Sequence, residues 1–562
     1  MENTISTDVL VIGGGGAAVT AAVSAAALGA DVILASKEPI GYGDTRISMG
    51  MIANPCMKED DSEKEFCNDL LECGEHLNNP EIAWILAKKA HRAREISEGF
   101  GHLFQRDKDG LIGPGVAFFS GGHSKARTLR SPPSNGIGIG NALRAAAVRS
   151  GVRVLEETAA HKLLKDGDRV NGAVCYDLAR GGAIIISAGA VILATGGAGW
   201  LYYPHTDCMS GACGDGYSLA YEAGAELTDM EQVQFVPFAL THPAPLCGIF
   251  FGDPASAGPA GVIRNAHGEA VLHNVHNRTR AQVTGLMSEL LSRGEGTEHG
   301  GLLLDLSANL LTEDGRRMWE TRNRLGQFDA VRAAYGEKAY RWEESLDVAP
   351  TAHYNMGGVK VDTETQSSVK GLFAAGQVMG GVFGGDRLGS ASLTEVFVFG
   401  EIAGQEAARA AKGARPARPA DAKRAAGELT GLIGRCGKYT PIQLKRRLQD
   451  VMWNKVGILR YETGMKEALA EFALIEAQAR DIRTCASRTF NRDALDVIEL
   501  RHMLRCALMI TRSALTRRET RGAHLRPDCP NRDDENFARN ITVRESDGEM
   551  KISKPETGKC HG

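Results

Sequence analysis

After a mostly polar start, Val9 to Ile12 form a continuous apolar run, and Asp8 to Ile12 accordingly predicts a strand buried on both faces. Gly13 to Gly16 break that run as a tight turn. Ala17 to Leu28 then supply small residues suited to a closely packed helix, and Asp31 to Ala35 return to a buried strand. The order is one βαβ unit. Its turn has the form G-x-G-x-x-A at Gly13, Gly15 and Ala18, where small residues permit a sharp bend, a close approach of phosphate and tight packing of helix on strand. Phosphate is expected at the positive N-terminus of that helix. At the end of the second strand, where an acidic residue usually holds a ribose, stand Ser36 and Lys37.

Two later segments repeat a buried strand that runs into glycines, Ala190 to Gly199 and Gly371 to Gly376. Three returns to one ligand predict a dinucleotide-binding domain interrupted by insertions. No second strand, G-x-G-x-x-G and helix unit is found for a nicotinamide cofactor. Residues 236–350 are rich in Pro, Gly and His and then helical, as expected of an inserted cap. Ala407 to Ala420 read as a linker. Beyond it Val497, Leu500, Leu504, Leu508 and Leu515 recur at helical spacing, predicting a helical C-terminal domain.

Composition narrows the class. Of 562 residues 67 are glycine and only 19 are proline, so the glycine excess, about 12% where about 7% is ordinary, is not a low-complexity linker. The glycines cluster after apolar segments, where backbone would meet a ligand. Lys plus Arg at 65 against Asp plus Glu at 69 leaves a net charge of -4, which carries no footprint for nucleic acid. Residues 441–521 hold 16 Lys or Arg against 10 Asp or Glu, read either as a solvated helical face or as a dock for an acidic partner. The 12 cysteines never form C-x-x-C, so no iron–sulfur or zinc spacing is present and no metal site is expected. With no signal-peptide pattern and no long apolar run, a cytoplasmic location without a membrane span is expected.

Several motifs in order resemble the flavoprotein subunit family of succinate dehydrogenase and fumarate reductase, which has aspartate oxidase and adenylylsulfate reductase as relatives. They are GGGGAA at the N-terminus, the loop from Lys37 to Asn54, GGHSKART at 121–128, ILATGG at 192–197, GDG at 214–216, HYNMGG at 353–358, GLFAAGQV at 371–378, DRLGSASL at 386–393 and RRETRGAHLRPDCPNRDDENF at 517–537. The resemblance implies an α/β fold: a Rossmann-like FAD-binding domain at 1–235 and 351–412, an α+β capping domain at 236–350, a helical domain at 413–521 and a C-terminal tail at 522–562. It places cofactor contacts on Gly13, Gly15, Gly16, Ala18, Ser36, Lys37, Thr45, Ala160, Ala194, Thr195, Gly196, Asp215, Gln377, Ser392 and Leu393. Asp44 stands where membrane-complex members carry the histidine that bonds FAD covalently, so noncovalent FAD is expected.

For the substrate, the resemblance assigns Arg387 and His353 to a carboxylate and Arg280 to proton transfer, with hydride passing between flavin N5 and a C=C or C–C substrate. Electrons would be exchanged with a separate iron–sulfur subunit. Other motifs depart from the family. Val236 replaces a substrate histidine in Gln234 to Phe238, Ala257 to Gly261 replace R-G-E-G-G, Asp253 and Pro254 stand for a Thr-Glu pair, and Phe383 replaces another histidine. These changes predict a substrate pocket more apolar at one end and without its relay carboxylate. Alternatives are a reductase of another anionic substrate such as an adenylylsulfate-like compound, a non-catalytic FAD relay subunit, and an aspartate oxidase.

Overall fold

The computed structural model describes residues 3–113, 116–132, 135–324, 329–412 and 419–553. The apolar run at the N-terminus forms strand β1 (Asn3–Ile12), helix α1 follows at Gly16–Ala27, and strand β2 is Val32–Ala35. Val11 pairs in parallel with Leu34 on one side and with Ile192 on the other. Val9, Leu10 and Val11 are fully buried there, each worth about 1.5–3 kcal/mol of transfer free energy.

The strand Gly182–Leu193 organises the sheet. The first half of its free edge takes Arg169–Asp177 in antiparallel fashion, and its last residues take Leu372–Ala374 in parallel. All three strand ends that the sequence showed running into glycines, at Ile12, Leu193 and Ala374, therefore lie side by side.

Helix α1 packs on the helix Ala391–Ala410 at a distance set by missing side chains. A Cβ on Gly404 would sit 2.2 Å from the Ala21 carbonyl oxygen, and one on Gly400 would sit 2.9 Å from that of Ala17. The alanine-rich sequence of α1 is what allows this approach.

A second, six-stranded sheet joins Phe250–Gly252, Val233–Leu240, Leu346–Asn355, Leu302–Asp305, Val262–Arg264 and Ala270–Leu272 in that order. Its core of Phe238, Leu240, Val283, Met287, Leu304, Trp342 and Val348 is separate from that of the first sheet. Both expected edges of the inserted region fall inside strands, because Val233–Leu240 and Leu346–Asn355 run through 235 and 350 and pair with each other. The C-terminal segment also differs from a tail: Thr542–Ser546 and Glu549–Ser553 form a hairpin that pairs with Leu227–Thr228. Residues 407–410 of the expected linker are the last turn of Ala391–Ala410, and 413–418 lie outside the described residues.

The C-terminal helices include Pro441–Val456, Glu462–Gln478 and Arg492–Thr516. Much of their basic excess points inward. Lys445, Arg460, Arg517 and Arg521 are buried, and Arg517 pairs with Glu231 at 2.6 Å and with Glu519 at 3.0 Å. Neither a solvated face nor a docking patch accounts for those four charges; internal pairing does.

Candidate active site

The three glycine-bearing strand ends open into a cavity of about 1220 Å³. Gly13 has φ +134°, and a Cβ there would lie 2.1 Å from the Ala194 carbonyl oxygen, so only glycine lets the ends of β1 and Gly182–Leu193 meet. The Gly16 N–H donates to Thr45 Oγ1 at 3.2 Å. No side chain caps α1 at Gly15, which leaves the positive end of the helix facing the cavity.

Seventeen of the expected site residues line this cavity: Gly13, Gly15, Gly16, Ser36, Lys37, Thr45, Ala160, Ala194, Thr195, Gly196, Asp215, Gln377, Ser392 and Leu393, together with Arg280, His353 and Arg387. Ala18 does not reach it; it is fully buried inside α1, where its small size serves helix packing. Four polar atoms among the lining residues, Thr195 Oγ1, Asp215 Oδ1 and Gln377 Nε2 at the cofactor end and Arg280 Nε at the other, are buried without a hydrogen-bond partner. Buried polar atoms are normally satisfied, so a ligand with hydroxyls and phosphates fits this wall.

Lys37 and Asp215 face the cavity but are also held by each other. Lys37 Nζ lies 2.7 Å from Asp215 Oδ2 and 3.1 Å from Glu499 Oε1, and Glu499 pairs in turn with Lys445 at 2.6 Å. Burial alone would lower the Lys37 ammonium, yet Asp215 and Glu499 hold it well above its usual value. The ribose end is thereby tied to the helix Arg492–Thr516. Asp44 lines the same cavity and accepts the Met209 N–H at 2.8 Å. Burial, partly offset by that hydrogen bond and reinforced by Asp207 and Glu38, pushes its carboxyl up to about 7.

At the other end Arg387 is buried and fully engaged. Its Nε donates to Gln234 Oε1 at 3.2 Å, one Nη to the Leu388 carbonyl at 3.1 Å, and the other to His353 Nε2 at 2.9 Å. Because guanidinium only donates, His353 Nε2 must accept, and its Nδ1–H then donates to Asp207 Oδ2 at 2.7 Å. Burial and the neighbouring Arg280 push Arg387 down to about 10. Arg280 donates to the Arg387 carbonyl at 2.6 Å and to Asp253 Oδ2 at 2.9 Å.

The replaced motif does not leave Arg280 without a carboxylate, since Asp253 pairs with it at 2.9 Å. The three replacements expected to make one pocket end more apolar do not themselves face it. Val236 and Ala257 are fully buried in strand and loop packing, and Phe383 sits behind Tyr354 in an edge-on contact at 5.6 Å; none of the three lines the cavity. Arg130 and Arg322 do line it, beside Phe118, Phe119, Phe250 and Met318. Sequence reasoning missed Asp207, Arg130 and Arg322. Only Asp253 carried a signal, through its place before the replaced motif.

A family model described as an FAD binding domain matches residues 8–393, and one described as the fumarate reductase flavoprotein C-term matches residues 445–558. The chain belongs to the fumarate reductase flavoprotein family. This flavoprotein is 32% identical to a fumarate reductase (CoM/CoB) chain of Methanothermobacter marburgensis, over 93% of this chain and 94% of that protein. It is 32% identical to the fumarate reductase flavoprotein subunit of Mycobacterium tuberculosis, over 97% and 96% of the two chains. Among solved structures, it matches a quinol fumarate reductase chain from E. coli with a TM-score of 0.87 at 27% identity, covering 98% of this chain and 96% of that one. An adenylylsulfate reductase from Archaeoglobus fulgidus shares the fold, at 18% identity and a TM-score of 0.77 over 98% and 96% of the chains. The flavoprotein therefore has the expected α/β architecture and takes FAD as its cofactor. Among the described residues no helix is long and apolar enough to cross a membrane.

Proposed function

We infer that the protein interconverts a saturated and an α,β-unsaturated carboxylate, in the manner of a fumarate reductase or succinate dehydrogenase, and exchanges electrons with an iron–sulfur partner subunit. The observation that carries this reading is the pairing of Arg280 with Asp253 next to the Arg387–His353–Asp207 chain, on the wall of the cavity that holds the cofactor residues. Gly13, Gly15, Gly16, Ser36, Thr45, Thr195 and Gln377 would hold FAD without a covalent bond, because Asp44 offers no imidazole. Bound FAD supplies or accepts the hydride.

The chain's own residues do the rest. Arg387 and His353 exchange their mutual hydrogen bond for a substrate carboxylate, a charge-assisted and bidentate arrangement that fixes the C=C bond in place. Asp207 accepts from the His353 Nδ1–H and holds the ring in one orientation. Arg280 passes a proton from its Nη to the second carbon and is reprotonated through Asp253, which takes up a proton from solvent and hands it on; an isolated Arg is a poor acid, so the adjacent carboxylate is required. The cap, roughly residues 236–350, would close the site and exclude water.

Anaerobic spectral titration of the reduced protein tests this. Fumarate or another enoate should reoxidise the flavin; failure of every enoate in the panel overturns the assignment. The 30% identity to an L-aspartate oxidase from Streptomyces coelicolor supports a second reading, which peroxide formation with L-aspartate would reveal.

A further inference from the structure

The inserted region 236–350 carries five histidines, and none of them lines the cavity. Two of the five meet a buried carboxylate at the far end of the second sheet. His242 follows the strand Val233–Leu240, His299 lies in the turn before Leu302–Asp305, and Asp347 is the second residue of Leu346–Asn355. A ring nitrogen of each histidine and a carboxylate oxygen of Asp347 all lie within 4.8 Å of one another. The two imidazole rings are 3.9 Å apart between centroids, and the Tyr335 ring also packs on His242 at 4.3 Å.

Asp347 is 6% exposed, and its carboxylate accepts from Thr297 Oγ1 at 2.7 Å, while Oδ1 is buried without a partner. Among the described residues no Lys or Arg pairs with it. A carboxylate buried in this way is costly unless a cation reaches it. The loop that brings His299 is held tightly against Asp347. Thr297 Oγ1 also accepts the His299 and Gly301 N–H groups, each at 3.3 Å, and a Cβ on Gly301 would lie 2.1 Å from Asp347 Oδ1. His242 is oriented from behind. The Thr241 hydroxyl donates its one proton to the Asp347 carbonyl at 3.3 Å, so at 3.2 Å it accepts from the His242 Nδ1–H, which leaves the lone pair of the neutral ring on Nε2. A hydrogen bond on the far nitrogen is what fixes a metal-binding imidazole. Burial and the neighbouring His299 push His242 down against the fields of Asp347 and Glu298, which favours the neutral ring that a metal takes.

We propose that His242, His299 and Asp347 form a zinc site that ties together three segments of the cap. Two imidazole nitrogens and one carboxylate oxygen suit a borderline cation, and three protein ligands leave a fourth position to water. The cysteine spacing that argued against a metal has no bearing on a set without cysteine. The site holds structure and takes no part in the reaction. Its two strands pair Leu240 with Val348 near the ligands and Gln234 with Tyr354 at the other end, beside Arg387 and His353. From Asp347 to His353 an extended strand covers about 20 Å, too far for the metal to touch a substrate held there. What the metal fixes is the strand pair that carries Gln234 and His353.

The FAD-loaded protein, stripped of metal with EDTA, dialysed and kept with its thiols reduced by a phosphine, is titrated calorimetrically with Zn²⁺ beside His299→Ala, His242→Ala and Thr241→Val. The wild type should bind one Zn²⁺ per chain and melt at a higher temperature with it. Thr241→Val removes the hydrogen bond behind His242 and should weaken binding by about 10- to 100-fold; loss of either histidine should exceed that. His299 is exposed, so His299→Ala should melt with the metal-free wild type, and its loss of zinc then reports the site and not a folding defect. The site is overturned if the metal-free wild type takes up no zinc. It is overturned equally if both histidine variants bind zinc as tightly as the wild type, which would place the metal on exposed thiols such as Cys56 or Cys247. Mg²⁺ that displaces the zinc at equal concentration would also overturn it, because a hard cation does not select imidazole.

Discussion

Replacing Asp253 by Asn keeps the shape of the side chain and its acceptor oxygen but removes the charge that faces Arg280. The contact is 2.9 Å, and the two side chains, Arg280 and Asp253, are 10% and 16% exposed, so solvent screens the pair only weakly. With charge centres about 4 Å apart and an effective dielectric of about 20, the lost attraction is about 4 kcal/mol. That loss alone would make Arg280 a stronger acid, but Asn cannot take up and hand on a proton, so on the relay reading the chemical step slows by about 10²–10⁴, the range for a displaced acid–base group. Stopped-flow reoxidation of anaerobically reduced Asp253→Asn by fumarate measures this step alone, and reduction of the same variant by dithionite serves as the control. The expected result is a large fall in the limiting reoxidation rate, little change in half-saturating fumarate, and unchanged reduction, FAD content and melting temperature. A limiting rate within about threefold of wild type would refute the relay, because no acid–base role is that small. A weakened half-saturation at full rate would make Asp253 a positioning residue for Arg280 instead.

Gly13→Ala should lower the FAD-to-protein ratio severalfold on purification, since its Cβ would meet the Ala194 carbonyl at 2.1 Å; Gly182→Ala, with no atom within 4 Å, should retain full flavin content. Glu499→Gln should destabilise the fold by about 1.5–3 kcal/mol, read from denaturant unfolding, because it removes the second of two carboxylates on each lysine and leaves Lys37 with Asp215 and Lys445 with Asp496. Burial alone would raise the Glu499 carboxyl, but Lys37, Lys445 and Arg492 hold it down at about 2 from an ordinary 4.5. Its contribution is thus complete above pH 4.5 and lost as pH falls toward 2, so the gap between wild type and variant should close on acidification. A gap that does not change with pH would exclude the ionic origin. Glu395 accepts the Tyr354 hydroxyl at 2.9 Å, and burial pushes its carboxyl up to about 8. The folded state therefore retains a proton that the unfolded state releases, and stability falls as pH rises from 4.5 to about 8. Glu395→Gln should match wild type below pH 4.5 and exceed it by a margin that grows from there to about pH 8; a loss of stability at neutral pH would contradict a protonated Glu395.

What the sequence disclosed was local. The turn from Ile12 to Gly16 was readable because a buried strand, a glycine at positive φ and an alanine helix are adjacent in the chain, and each narrows the choices for the next. The strand ends at Leu193 and Ala374 were readable for the same reason. The edges of the cap were not, because Val233–Leu240 and Leu346–Asn355 are ordinary strands whose pairing across more than a hundred residues decides which sheet they join. Phe383 and Val236 misled for a related reason: a replaced family residue says what has been lost, not whether its successor still faces the ligand. Lys37 gave no hint of Glu499, nor His353 of Asp207, since neither pairing leaves a periodic trace.

That division has a chemical consequence. The positions legible from local pattern, Gly13 to Gly16 and Ser36, and those added by the family resemblance, such as Thr45 and Gln377, all belong to the cofactor end, where backbone shape does most of the recognition. The charged groups at the other end come from separated segments: Arg130 from the short strand Thr128–Arg130, Asp253 and Arg387 from loops, and Arg280 and Arg322 from helices. A cation from one segment is therefore matched or left open by what the others present. Arg280 acquires Asp253 as its ion-pair partner, and Arg322 donates to backbone carbonyls alone. Family motifs on one wall determine the reaction class, but the anion accepted depends on the pairing across the gap, so two chains with the same Arg387 and His353 motifs need not accept the same anion.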